Sequence, residues 1–193
     1  MKELPILFSG PMVRAILEGR KTQTRRVVKN VSGDCELFID AGDGNWQQCY
    51  RDESGAIHSK SWLTRCQYGV KGDRLWLREH HARIPGNDGW HEPHYFADGP
   101  LPTVDQRHDA GLLHSYPSIH MPRWASRINL EITGIRVERL HAIRAEDALA
   151  EGVEWDGMYE HPRDNFISLW ESINGHGSWD ANPWVWVVEF KRV

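Results

Sequence analysis

The chain has 193 residues, of which 40% are apolar and 26% are charged. This is an ordinary globular composition, with enough residues for one sizeable core. The formal net charge of −4 at pH 7 excludes a bulk nucleic-acid binder, so any such contact needs a local basic patch. The sequence has no run of about 18 apolar residues and no signal-peptide pattern. We therefore expect a cytoplasmic protein without a membrane partner.

The first elements lead to a short basic stretch. Residues 5–8 predict a strand, and Ser9 is a suitable N-cap for the helix that follows. The apolar side chains of this helix recur at helical spacing and form one stripe: Met12, Val13, Ile16 and Leu17. Gly19 predicts the end of the helix, so that Arg20 and Lys21 lie at its C-terminal end.

The basic stretch is Glu18-Gly-Arg-Lys-Thr-Gln-Thr-Arg-Arg26, which holds four cations and two threonines. Alternation along the strand that follows places Thr24 and Arg26 on one face and Arg25 on the opposite face. Lys21 then lies close to Thr24, and a lysine beside a hydroxyl is a possible pair of base and nucleophile. A plain basic patch without chemistry explains the same residues.

This stretch resembles the signature of the ASCH family, which belongs to a PUA-like β-barrel superfamily linked to RNA and modified nucleosides. The family pattern is Gly-x-Lys-x-x-Glu-x-Arg, and Thr24 stands at its glutamate position. A threonine there resembles the branch of small bacterial N4-acetylcytidine amidohydrolases, whose pattern is Gly-Arg-Lys-Thr-x-Thr-x-Arg. Every fixed position of that pattern is present in this chain: Gly19, Arg20, Lys21, Thr22, Thr24 and Arg26.

The resemblance implies an activity and a catalytic set. In the amidohydrolase branch, the lysine, the second threonine and a glutamate on a later short helix form the proposed site. These positions correspond here to Lys21, Thr24 and Glu151. The resemblance implies removal of an acyl group from a modified nucleobase or nucleoside such as N4-acetylcytidine, without a cofactor or a metal ion.

Residues 31–65 are a first insertion relative to the minimal family. Within it, residues 35–39 and 46–50 predict two strands joined by a turn rich in glycine and aspartate. Cysteines and a histidine in and next to this region raise the question of a zinc site: Cys35, Cys49, Cys66 and His58. Because no Cys-x-x-Cys pair is present, buried and reduced thiols are favoured over metal binding.

Gly72-Asp73 predicts a turn that enters a strand over residues 75–79, and such a turn resembles ASCH and related barrels. Leu75 and Leu77 share one face of this strand. Arg78 and Glu79 are candidate cleft residues, and the alternative is a surface ion pair worth less than ~1 kcal/mol.

Residues 81–124 are a second insertion. Residues 80–116 have low periodicity and many His, Gly, Pro and Asp residues, which predict a long irregular segment that is functional or mobile and suits a lid over the cleft. Residues 117–127 resemble a longer ASCH-containing group frequent in bacterial genomes and their phages. This part of the chain holds groups that suit base recognition by hydrogen bonds and stacking: Ser118, His120, Arg123 and Trp124. Core packing of the tryptophan and a surface position of the arginine are the alternative.

The C-terminal third begins with an alternating run over residues 128–140, which predicts strands bent at Gly134. Residues 145–152 predict a short helix with Ala148 and Leu149 facing inward. Glu151 lies in its last turn, where the helix dipole disfavours a carboxylate. A charge placed against that preference suggests a partner for Glu151, most simply Lys21, and a plain solvated glutamate is the alternative.

Two more elements complete the chain. Residues 162–173 predict a second amphipathic helix, and the apolar run 184–190 predicts a central strand. On the short helix before them, Glu146 and Asp147 are rivals of Glu151 for the catalytic role.

Together these patterns predict one α+β domain over residues 1–193. We expect a mixed or antiparallel PUA-like barrel with two or three flanking helices and two insertions. The expected partner is a modified nucleoside or RNA, and the oligomeric state stays open. An RNA-binding module without catalysis and a ribonuclease are the alternative functions. The candidate substrate-binding residues are Arg20, Arg26, Arg78, Glu79, Ser118, His120, Arg123 and Trp124.

Overall fold

The computed structural model describes residues 1–85, 91–100, 114–155, 157 and 161–193. Over these residues the fold is α+β, with eleven strands and three α-helices, as the sequence predicts. None of the described helices is long and apolar enough to cross a membrane.

A five-stranded mixed sheet forms the centre. Its strands and the first helix span β1 Glu3–Leu7, α1 Gly10–Leu17, β2 Gln23–Val27, β6 Arg74–Arg78, β10 Asn129–Arg139 and β11 Trp184–Arg192. The strand order is β1-β6-β10-β11-β2, in which β1 and β6 pair in parallel and the other neighbours pair antiparallel. Strand β11 lies between two neighbours, and β10 carries a register shift between Ile132 and Gly134, so the predicted central strand and the predicted bend are both confirmed.

The central sheet is open in the described part of the chain, because β1 and β2 form its two edges. The closed barrel that the sequence predicts is therefore not found among the described strands. The edges are bridged instead by a side chain, since Arg26 on β2 donates a hydrogen bond of 2.7 Å from Nη2 to the carbonyl of Leu7 on β1. This seam between β1 and β2 is where the cleft described below opens.

The first insertion forms a separate antiparallel sheet in the order β3-β4-β5. The sequence predicts its first two strands, and the structure adds a third. These strands span β3 Leu37–Gly42, β4 Asn45–Arg51 and β5 Ile57–Arg65. The indole of Trp46 on β4 meets that of Trp186 on β11 edge to face, with ring centroids 6.0 Å apart. This contact joins the insertion to the core.

The second insertion is more regular than the sequence indicates. Its described residues form a sheet in the order β8-β7-β9, with β7 His81–Pro85, β8 His91–Tyr95 and β9 His114–Tyr116. These short strands lack the β-branched alternation that predicts a strand, so the sequence does not indicate them. Cross-strand pairing stabilises them more than local propensity does. The parts of the predicted irregular segment at 86–90 and 101–113 lie outside the described residues.

Two apolar clusters support the site. The larger one joins α1 to the central sheet, and it includes Leu75 and Leu77, which share a buried face as predicted. The smaller one lies under helices α2 (Ala145–Ala150) and α3 (Pro162–Asn174). The prediction that Leu149 faces inward is wrong, since this residue is 41% exposed. Helix α2 is only six residues long and buries the face that carries Ala148 instead.

Two glycines end helices in the same way but in different surroundings. Gly19 follows α1 with φ 78°, and Gly152 follows α2 with φ 84°, both in the left-handed region. A Cβ on Gly19 would meet nothing within 4 Å, whereas one on Gly152 would lie 2.8 Å from Cβ of Lys21 and 2.9 Å from Cβ of Ala15. Gly152 therefore allows the end of α2 to lie directly against Lys21.

We expect Gly152→Ala to destabilise the protein more than Gly19→Ala. Both substitutions cost about 1 kcal/mol for the left-handed backbone. Only Gly152→Ala adds the cost of overpacking, about 1–3 kcal/mol. Thermal unfolding measures the difference, at roughly 2–4 °C per kcal/mol for a chain of this size. Equal losses in the two variants would contradict the close approach at Gly152.

Candidate functional site

Two segments that are distant in sequence meet at the site. Lys21 and Thr24 come from the connection after α1 and from β2, and Glu151 is the C-cap residue of α2. The backbone fixes this meeting, because the N–H of Lys21 donates to the carbonyl of Ala15 at 3.0 Å and the N–H of Thr22 donates to the carbonyl of Ala150 at 2.9 Å. The basic stretch is therefore held between the ends of the two helices.

Lys21 and Glu151 form a buried ion pair, and each residue is 4% exposed. The Lys21 amine donates to carboxylate Oε2 of Glu151 at 3.1 Å and to the Glu151 backbone carbonyl at 2.6 Å. The other carboxylate oxygen, Oε1, accepts a hydrogen bond of 3.1 Å from Nη1 of Arg25. The predicted pairing of Glu151 with Lys21 is thus confirmed, and the lysine–carboxylate pair is backed by an arginine.

The environment lowers the pKa of the Lys21 amine below its ordinary value of 10.5. Burial is the largest cause, because it disfavours the charged form. The carboxylate of Glu151 opposes this shift, while the charges of Arg26 and Arg25 add to it. A lysine with a lowered pKa carries more neutral amine near neutral pH, so it is better able to accept a proton.

Arg25 supports the Lys21–Glu151 pair, a role that the sequence pattern does not predict. Its side chain is fully buried and forms ion pairs with Glu138 and Asp147 in addition to Glu151. Arg136 on β10 contacts Glu138 at 3.0 Å and Asp147 at 3.1 Å and completes the network. Strand alternation predicts only that Arg25 lies on the face opposite Thr24. The carboxylates that form its ion pairs come from elements distant in sequence. Asp147, a rival for the catalytic role, belongs to this supporting layer.

A cleft of about 330 Å³ opens above the ion pair. This volume lies at the lower end of small-molecule sites, which span about 300–1,000 Å³. Lys21, Thr24 and Glu151 line it together, with Arg26 at the seam between the two sheet edges. Most of the remaining lining is aromatic and apolar: Leu7, Phe8, Met12, Val27, Tyr68, Phe166, Leu169, Trp170 and Ile173.

Thr24 is a buried residue of the cleft wall. It is 4% exposed, and it lines the same cleft as Lys21 and Glu151. In the described part of the chain, its hydroxyl makes no side-chain hydrogen bond. The same aromatic ring, that of Phe8, lies 5.4 Å from the Lys21 amine and 5.4 Å from the Arg26 guanidinium. These two cationic groups therefore share one apolar wall.

Three of the other predicted substrate-binding residues lie outside the lining of this cleft. Arg20 makes ion pairs with Glu18 and Glu154 at the surface. Arg78 donates from Nε to the carbonyl of Met121 at 3.0 Å. Glu79 follows β6, is buried, and accepts two hydrogen bonds of 3.0 Å from the guanidinium of Arg127.

The group at residues 118–124 also lies outside the cleft lining. Ser118 and His120 belong to one 3-10 turn, and Arg123 opens the next. Arg123 contacts Glu3 at 3.2 Å, and Trp124 is 60% exposed. The sequence places these groups close together, but the fold sets them on another surface.

Cys35, Cys49 and Cys66 are buried free thiols. Among the residues that the structure describes, no group of three or more His, Cys, Asp or Glu side chains is arranged to hold a metal ion. Burial raises the pKa of the Cys66 thiol to about 11, so that this group stays protonated at neutral pH.

Comparison of the chain with protein-family models, with curated proteins and with solved structures finds no match. The ASCH resemblance thus remains a prediction from the motif over residues 19–26.

We expect the Lys21 amine to titrate below pH 10.5, because burial disfavours its charged form. Glu151→Gln removes the carboxylate that raises this pKa, so the midpoint should fall further. Side-chain NMR of lysines labelled at Nζ and Cε measures both midpoints. A midpoint that rises in Glu151→Gln would contradict the coupling, and a circular dichroism spectrum of the variant controls for unfolding.

Proposed function

We propose that this protein is an amidohydrolase that removes the acyl group from an N4-acylated cytosine base or nucleoside such as N4-acetylcytidine. The observation that carries the proposal is the buried Lys21–Glu151 pair beside Thr24 in an aromatic-walled cleft. A nucleophile, a base and a group that orients the base are the parts that acyl transfer needs.

In the first half-reaction, Oγ of Thr24 attacks the acyl carbonyl carbon while the neutral amine of Lys21 takes the hydroxyl proton. The tetrahedral intermediate then collapses, the bond from carbon to N4 breaks, and the Lys21 ammonium returns the proton to N4. Cytosine leaves as the neutral amine, and the acyl group stays as an ester on Thr24.

In the second half-reaction, water replaces the leaving group. Lys21 removes a proton from the water as it attacks the ester, the bond to Oγ breaks, and the proton passes back to Thr24. The products are the carboxylic acid and the free enzyme. No cofactor enters either half-reaction.

The neighbours of these groups have supporting roles. Glu151 holds the amine of Lys21 through its carboxylate and its backbone carbonyl. Its carboxylate stabilises the Lys21 ammonium that delivers the proton to the departing N4. Arg25 orients the Glu151 carboxylate through its hydrogen bond to Oε1. Arg26 keeps N–H donors beyond the one that bridges to Leu7, so it can hold a substrate oxygen. The aromatic walls suit a flat pyrimidine.

The same proposal includes the architecture and the setting of the reaction. We propose that the open central sheet is a PUA-like arrangement of the ASCH type, with two insertions. The three buried free thiols suit a reducing compartment, so we assign the reaction to the cytoplasm. The partner is then a modified nucleoside, free or within RNA.

Thr24→Ala should lower kcat for release of cytidine from N4-acetylcytidine by at least about 10³-fold, because the nucleophile is lost. Thr24→Ser keeps a hydroxyl and should retain measurable turnover. A chromatographic assay of purified protein measures both, and Lys21→Ala should also be inactive.

The matched control is Thr22→Ala, because Thr22 is exposed and lies outside the cleft lining. It should leave turnover unchanged. Thermal unfolding of all variants within a few degrees of the wild type excludes loss of the fold. Full turnover by a folded Thr24→Ala variant would remove threonine from the mechanism.

An RNA-binding module without catalysis is the second candidate, and a specific surface favours it. The guanidiniums of Arg78 and Arg123 lie 5.1 Å and 5.9 Å from the ring of Trp76. That of Arg83 lies 5.6 Å from the ring of the exposed Trp124. Arginines interleaved with tryptophans are a surface that binds phosphates and stacks bases.

If this surface binds RNA, Trp124→Ala should weaken binding by about 1–3 kcal/mol, and binding should decline steeply with salt. Filter binding at two salt concentrations measures both effects. Trp62→Ala, at an exposed tryptophan of the first insertion, is the control. Affinity that is equal in Trp124→Ala and wild type would reject this surface, and cleavage of the RNA in the same assay would indicate a ribonuclease.

A further inference from the structure

The cleft has the opposite charge from the protein as a whole. Its lining residues include four cations, Lys21, Arg25, Arg26 and Lys29, and a single carboxylate, that of Glu151. The full chain has a net charge of −4. A cationic cleft with apolar walls focuses its field on the space between them and selects an anionic ligand.

The excess charge is not spread evenly over the cleft. Lys21 and Arg25 are neutralised from below by carboxylates, including that of Glu151. Arg26 and Lys29, in contrast, form no ion pair with any described residue. Two cations that line the cleft therefore have no carboxylate partner among the described residues. A neutral substrate would not provide an opposite charge for them.

The guanidinium of Arg26 also has a hydrogen-bond donor without an acceptor in the described part of the chain. One N–H of its guanidinium donates to the carbonyl of Leu7, but Nε is buried and has no acceptor among the described residues. The indole Nε1 of Trp170, a lining residue that is 5% exposed, also lacks an acceptor there. Buried donors without acceptors are rare in folded proteins, and both of these belong to side chains that line the cleft.

A hydroxyl at the start of α1 adds a third donor. Ser9 occupies the N-cap position and lines the cleft, but its side chain makes no capping hydrogen bond. Helix N-termini favour anions through their free N–H groups and their partial positive charge. Ser9 precedes the helix on the same side of the cleft as Leu7, which Arg26 contacts.

We propose that the cleft binds a nucleotide, and that Arg26, Lys29 and Ser9 bind its phosphate group. The ligand is then an N4-acylated cytidine 5′-monophosphate. Arginine suits phosphate because its planar donors form two parallel hydrogen bonds to it. A cleft of about 330 Å³ holds one nucleotide unit, which favours a mononucleotide over a chain. For the reaction, though not for binding, the inference rests on the proposed amidohydrolase function.

The kinetic test compares N4-acetylcytidine with its 5′-monophosphate at low salt. We expect kcat/KM to be about tenfold higher or more for the nucleotide, as hydrogen bonds to a charged group allow. Lys29→Gln should bring the ratio of the two values towards one. Lys71→Gln, at an exposed lysine outside this cleft, should leave both values unchanged. A wild-type ratio near one would overturn the inference.

A binding test separates this inference from the proposed reaction. Calorimetry compares cytidine 5′-monophosphate with cytidine on wild type and Lys29→Gln, and it needs no turnover. If neither acetylated compound is hydrolysed but the nucleotide binds more tightly in a Lys29-dependent way, the proposed reaction fails and the phosphate site stands. Equal binding of the two compounds would reject the phosphate site.

The source of the phosphate is decided by a third ligand. A trinucleotide with a central N4-acetylcytidine presents the same chemistry within an RNA chain. We expect it to be hydrolysed less efficiently than the 5′-monophosphate. Preference for the trinucleotide would overturn the assignment to a mononucleotide.

Discussion

The buried contact between Lys21 and Glu151 is the constraint on which the rest of the site depends. A lysine and a glutamate that are both 4% exposed are stable only if their charges are compensated within the protein. The compensation comes from Arg25 and, behind it, from a layer of carboxylates on β10 and α2. The cost of burying these charges is typical of functional sites, where stability is given up for chemistry.

The gap between the two edge strands of the central sheet lets a ligand reach the Lys21–Glu151 pair. If β1 and β2 paired along their length, backbone hydrogen bonds would occupy the seam where the cleft lies. The contact from Arg26 to Leu7 instead joins the edges through one flexible side chain. The two edges are therefore joined without backbone pairing, and Thr24 on the edge strand β2 lines the open cleft.

The sequence was most informative where structure is local. Helix α1 with its stop at Gly19, the face shared by Leu75 and Leu77, and the bend of β10 near Gly134 all follow from periodicity and turn chemistry. The partner of Glu151 could also be predicted, because a carboxylate at a helix C-terminus needs a cation. The role of Arg25 could not, since its carboxylates come from elements more than 100 residues away in sequence. The separation of residues 118–124 from the cleft likewise depends on tertiary packing.

Gly152, the glycine after α2, connects local structure with tertiary packing. Its missing side chain is the space into which the stem of Lys21 packs, so residue 152 and residue 21 are constrained as a pair. Among relatives of this chain, a glycine here should accompany a buried lysine at position 21, and a larger residue should occur only where that lysine has been replaced. Covariation between these two positions would thus record, in sequences alone, whether a relative has kept this site or only the fold around it.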